Sequence, residues 1–141
     1  MPGLTVTEQA VFDGRFLFNL RGPGTAPYYL ERVKATIVVT GEDGDWVKQV
    51  YGVLEKDLKI TVNDDGTLTI LVLATGPSTL YDSTGKAIAR DPGQVRFELL
   101  VAYGEDLSDP SDDEFLDFLG VVKPSTGRSD DFCTAAVQVL G

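Results

Sequence analysis

Apolar side chains at every second position, reversed repeatedly at glycine-bearing turns, constrain this chain more than any other feature. Leu58, Ile60 and Val62 share one parity, Asn63, Asp64, Asp65 and Gly66 spell a turn, and Leu68, Ile70 and Val72 return with the same parity. Successive side chains of a strand point to opposite faces, so the pattern predicts a β-hairpin, with Gly66 supplying the positive φ of the reversal. Leu71 and Leu73 fill the other parity of the returning segment. A strand that is apolar on both sides should be covered twice and lie centrally.

The same device recurs along the chain. Phe16, Phe18 and Leu20 alternate with Arg15, Leu17 and Asn19, Ala35, Ile37 and Val39 alternate with Lys34, Thr36 and Thr40, and a breaker-rich stretch at 22–27 separates the two. Asp43-Gly44 lies between residues 37–39 and 46–53, and residues 82–85 lie between 79–81 and 86–88, each a hairpin signal. Val95, Phe97, Leu99, Val101 and Tyr103 make the most regular alternation. Residues 111–122 allow either a capped short helix or a strand, and the alternation from Phe115 favours the strand. Near the end, Ser129 is positioned to cap a helix in which Phe132, Ala136, Val139 and Leu140 share a face. The expected fold is all-β, one antiparallel sandwich or small barrel over residues 1–141, of about eight to ten strands with a short C-terminal helix.

Composition narrows function by exclusion. The 141 residues include no histidine and one cysteine, Cys133. Ser-His-Asp and Cys-His nucleophile designs, His-ligated metals, thiolate zinc modules and internal disulfides are therefore excluded, and Cys133 is expected to be a small core residue. Twelve Lys and Arg against 22 Asp and Glu give a net charge of −10. Phosphate recognition rests on clustered basic residues, and along the sequence these stand singly, so no nucleic-acid partner is expected. The longest apolar run, residues 70–74, is far short of the roughly 20 a membrane helix needs, so no membrane span is expected. Without a visible leader, the expected location is the cytosol or a particle made there; an extracellular location stays open for a chain whose leader has been removed.

Candidate sites are few. The acidic residues Asp106, Asp109, Asp112, Asp113 and Glu114, and again Glu42, Asp43 and Asp45, offer oxygen ligands, but neither group has the spacing of a calcium loop, and no metal or cofactor is expected. A carboxylate pair acting on a glycoside needs no histidine, yet nothing selects a pair from 22 acids. Tyr28, Tyr29, Trp46, Tyr51, Tyr81 and Tyr103 combine an apolar body with a polar tip, and are the candidate ligand-binding residues.

Residues 80–97, Leu-Tyr-Asp-Ser-Thr-Gly-Lys-Ala-Ile-Ala-Arg-Asp-Pro-Gly-Gln-Val-Arg-Phe, together with Asp131, Phe132 and Cys133, resemble stretches of small actinobacterial β-proteins without assigned activity. Many of those carry a second cysteine near the start, which this chain lacks. The pattern of Leu80, Tyr81, Asp82, Gly85, Ile88, Gly93, Arg96, Phe97 and Glu98 also resembles a hairpin of allene-oxide-cyclase-like barrels, which implies a cavity that shapes a substrate. Two expectations follow. The first is a non-catalytic β domain that binds a protein partner or a small apolar ligand, with recognition on loops 22–27 and 106–114 and homo-oligomers through edge strands. The alternative is a barrel cyclase or isomerase of secondary metabolism.

Overall fold

The computed structural model describes residues 3–141. Among them eight strands form one antiparallel sheet: β1 (Val6–Asn19), β2 (Tyr28–Gly41), β3 (Trp46–Val62), β4 (Thr67–Thr75), β5 (Ser78–Asp82), β6 (Ala87–Asp91), β7 (Gln94–Ala102) and β8 (Glu114–Lys123). One α-helix, α1 (Phe132–Leu140), follows. The chain is all-β with a short C-terminal helix, and its sheet is open. The order runs β1-β2-β3-β4-β7-β8, which leaves β1 and β8 at opposite ends.

The length of β3 organises the sheet. Its first half pairs β5 through Val47 to Tyr51, and its second half pairs β4 through Leu54 to Val62, both on the same edge. The two partners keep one register across the gap, since Thr75 faces Leu54 and Ser78 faces Tyr51. β4 and β5 thus make one line broken at Gly76 and Pro77, and β6 and β7 make a second line broken at Pro92 and Gly93. Proline cannot donate to a ladder, so the two adjacent breaks make a crease in these two lines, while β2 and β3 run past it unbroken. Gly76 lies at φ 148, and a side chain there would collide with the Gly52 carbonyl, which fixes glycine at the crease.

Packing differs on the two sides of that crease. On one side α1 lies on β3, β5 and β6, where Val47, Leu80, Ala89 and Leu140 are buried and Phe132, Ala135, Ala136 and Val139 pack against them. The predicted helical face is the observed one. Its cap is Asp131, whose carboxylate accepts from the Thr134 amide at 3.0 Å; Ser129, predicted to cap, instead donates to Asp91. Aspartate adds negative charge at the positive end of the helix dipole, which favours it over serine there. Cys133 is exposed rather than in the core, because it falls on the outer side of α1. On the other side of the crease, β4 is central as its two apolar parities predict, with Leu68, Val72, Leu73 and Ala74 buried.

The ambiguous segment after Ser111 is a strand, preceded by a single 3-10 turn at Pro110–Asp112 that Asp109 caps. Its periodicity is three rather than two. Against β7 the register shifts three times, so Phe115, Phe118 and Val121 pair in the ladder while Leu116, Leu119 and Val122 are supernumerary. Each extra residue is a β-bulge, which bends the strand and turns apolar groups toward both faces.

Candidate functional site

Directly paired residues of a sheet share a face, so the register sorts every side chain. One face collects Arg15, Arg32, Lys34, Lys48, Lys56, Lys59, Arg90, Arg96 and Lys123, nine of the twelve basic residues. What stands singly along the chain is therefore a basic face in space, in a protein of net charge −10. Cross-strand register, which includes a shift between Asp57 and Lys59 that puts Lys56 and Lys59 on one face, brings these residues together. Among the described residues the one ion pair is Arg128–Asp130, away from this face, so Arg15, Arg32 and Lys34 have no carboxylate within ion-pair distance. A groove of about 440 Å³ opens here, lined by Asp13, Arg15, Leu17, Leu30, Arg32 and Leu54 among others. A second, of about 510 Å³, continues it past Val11, Lys34 and Thr36 to Tyr51 and Tyr81.

The opposite face is apolar, carrying Phe12, Phe16 and Phe18 on β1 and Phe115, Phe118 and Val121 on β8. It is covered by α1 only near β5, β6 and the start of β3. Phe16, Phe18 and Tyr29 form an aromatic trio with ring centres 5.1 to 6.1 Å apart. Beside them lie three carboxylates. Glu31 and Glu55 sit directly opposite each other, and Asp57 accepts from the Tyr29 amide at 2.9 Å. Burial pushes the Asp57 carboxyl up to about 6, against the lowering effect of that hydrogen bond. Burial, then the Glu31 charge, raises Glu55. The Tyr29 phenol is pushed up to about 12 by burial, its Glu31 hydrogen bond and the surrounding negative charge.

The ends of the sheet are its most unusual feature. Of the sixteen exposed large apolar residues among those described, thirteen lie on β1, at Leu20 just after it, or on β8, led by Val11 at 72% and Phe16 at 66% exposure. They occur on both faces of these strands. Isolated exposed apolar residues are normal, whereas contiguous patches mark interaction surfaces. The outer edge of β6, by contrast, is protected. Asp130 straddles Arg90, its amide donating to the Arg90 carbonyl at 3.1 Å and its carboxylate accepting from the Arg90 amide at 2.8 Å.

The six aromatic candidates do not converge on one cavity. Tyr51 and Tyr81 line the second groove. Tyr29 belongs to the aromatic trio, and Tyr28 lies beneath the Arg21 guanidinium, 4.2 Å from the ring centre. Trp46 opens β3, and the Tyr103 amide donates to Gly66 at the far end of the sheet. Of the predicted recognition loops, 106–114 uses its acids locally: Asp106 accepts from Ser108 and Asp109 from Ser111, which holds both carboxyls below their ordinary values.

No family model, curated protein or solved structure matches the chain significantly. No helix among the described residues is long and apolar enough to cross a membrane.

Proposed function

We propose that this is a non-catalytic protein-binding β domain whose contact elements are the two end strands, β1 and β8. The observation that carries the reading is the concentration of exposed apolar residues on those strands, on both faces, at edges whose outward N–H and C=O groups have no strand beside them among the described residues. An unpaired edge is a template for another chain, and proteins that do not use it blunt it with charge, proline, β-bulges or a covering segment. The edge of β6 is covered by Asp130; among the described residues no such segment covers β1 or β8, although three bulges bend β8. The cyclase alternative requires a dry enclosure around its substrate, and an open sheet with open grooves supports it less. We assign such a subunit to the cytosol or to a particle assembled there.

Photo-crosslinking tests the reading. A benzoyl-phenylalanine replacing Phe16 or Phe118, in cells making the full chain, should form adducts with protein, whereas the same residue replacing Asp64 in the β3–β4 turn should not. Absence of adducts from both end strands would overturn the reading.

A further inference from the structure

We infer that the partner of each end strand is the opposite end strand of another copy of this chain, β8 of one copy pairing antiparallel with β1 of the next, so that the sheet continues head to tail. The inference rests on the protein-binding reading above and names its partner. Three observations converge on it.

Area comes first. The chain exposes 8968 Å². A folded monomer of its 15.2 kDa mass is expected to expose roughly 7,100 Å² by the usual surface scaling. The excess, about 1,900 Å², is close to what two standard joints remove from one subunit at about 800 Å² each. Every subunit inside a head-to-tail assembly makes two joints, one at each end, whereas a two-fold dimer makes one and leaves half the excess exposed.

Direction comes second. The path from β1 to β8 has six strands, each antiparallel to its neighbour, so the end strands run in opposite senses. A rotation about an axis along the strands sets β8 of one copy antiparallel to β1 of the next without turning the sheet over. The basic face then continues into the basic face, and Phe115 and Phe118 meet the aromatic side of β1.

Charge comes third. Antiparallel placement brings the start of β8 beside the end of β1. On the basic face the start of β8 carries Glu114 and Asp117, and the end of β1 carries Arg15, with Arg32 paired to it. Those arginines have no ion-pair partner within the chain among the described residues, and the neighbouring copy supplies one. Parallel pairing would instead bring Lys123 to the arginine end. Complementary charges fix register and partner choice at a joint, and like charges forbid the wrong one.

The test is the mass of the purified full chain by sedimentation at about 100 μM, far above the micromolar end of affinities for joints of this size. The expected species is larger than a dimer, and a ring or a filament alike carries the joint. Arg15→Glu and Asp117→Arg should each raise the concentration for half-assembly about tenfold or more. Mixing the two variants one to one should restore assembly, because alternating copies make only wild-type and fully reversed joints. Restoration also shows that both variants are folded. A monomer, a two-fold dimer, or variants that mixing does not restore would overturn the inference. Crosslinks from Phe16 or Phe118 to a different protein, with a monomeric purified chain, would overturn this inference and leave the protein-binding reading standing.

Discussion

The sheet ends in two different ways, and the contrast separates what holds the fold from what the fold presents. At β5 and β6 the sheet is finished: α1 buries Leu80 and Ala89, and Asp130 occupies the outer edge of β6. At β1 and β8 it is unfinished, with aromatic and aliphatic groups exposed on both faces. Apolar burial supplies roughly 25 cal/mol per Å², so the finished side and the central strand β4 carry stability, and the end strands hold it in reserve for a partner.

Substitutions at buried and end positions should expose that difference most strongly. Leu68 is 2% and Leu80 4% exposed. Truncating either to alanine should cost about 2–5 kcal/mol of unfolding free energy in urea titrations, through lost transfer energy and an unfilled cavity. The polar substitution Val11→Thr, at a residue 72% exposed, should leave the dispersed chain within about 0.5 kcal/mol of wild type. An equal loss at Val11 would mean that β1 is buried within its own chain, and the contrast would fail.

A smaller effect is expected at the crease that divides the two sides. Gly76 has a φ open to glycine and a neighbour, the Gly52 carbonyl, that leaves no room for a Cβ. Gly76→Ala should cost about 1–3 kcal/mol in the same titration, the range for a residue held in a sparsely populated backbone region. Gly66→Ala shares the positive φ but has open space around its Cβ. It should cost less, because no collision adds to the backbone strain there.

How much of this was legible depends on whether a property is local. The hairpins at 43–44, 63–66 and 82–85 were, because the turn residues and the flanking parity sit side by side in the chain, and the helical face of α1 was legible for the same reason. The Leu71 and Leu73 parity placed β4 centrally. Exposure was not legible, since Phe16 and Phe118 look like core residues until the sheet order puts them at its ends. The basic face was hidden because parity has meaning only after register is known: Arg32 and Lys34 belong with Lys48 and Lys56 through pairing across β2 and β3. In β8 the triplet Phe-Leu-Asp, Phe-Leu-Gly, Val-Val-Lys was readable, and an eye set for alternation passes over it. The aromatic candidates share a residue type, and type alone does not bring Trp46 and Tyr103 to one place.

Protonation offers a finer probe of the unfinished side. Asp57 lies beneath the aromatic trio with its carboxyl raised to about 6 from an ordinary value near 3.8, chiefly by burial. Between those two values the folded chain binds a proton that the unfolded chain has released, so this group's contribution to stability falls as pH rises through the window and is lowest above it. Asp57→Asn keeps an oxygen for the Tyr29 amide and removes the charge. The melting temperature of the variant should exceed that of wild type by a few degrees at pH 7.5, and the gap should close by pH 4. A gap independent of pH would mean that the gain comes from packing rather than from the buried charge.

The smallest expected change bears most directly on the comparison. Asp130 is what makes the edge of β6 differ from those of β1 and β8, for its amide and carboxylate together take the place of a neighbouring strand at Arg90. Its carboxyl is held below the usual range, first by the Arg128 side chain and then by the Arg90 amide, so the arrangement persists through neutral pH and loosens as pH falls. Asp130→Ala removes the carboxylate while leaving the backbone bond. The fold should survive with a slightly lower melting temperature, because α1 and its Asp131 cap remain in place. The Arg90 amide should exchange with solvent deuterium markedly faster, approaching the outward amides of β1 in the dispersed chain. If its exchange is unchanged, the side chain does not protect that edge, and β6 differs from β1 only in the helix laid over its face.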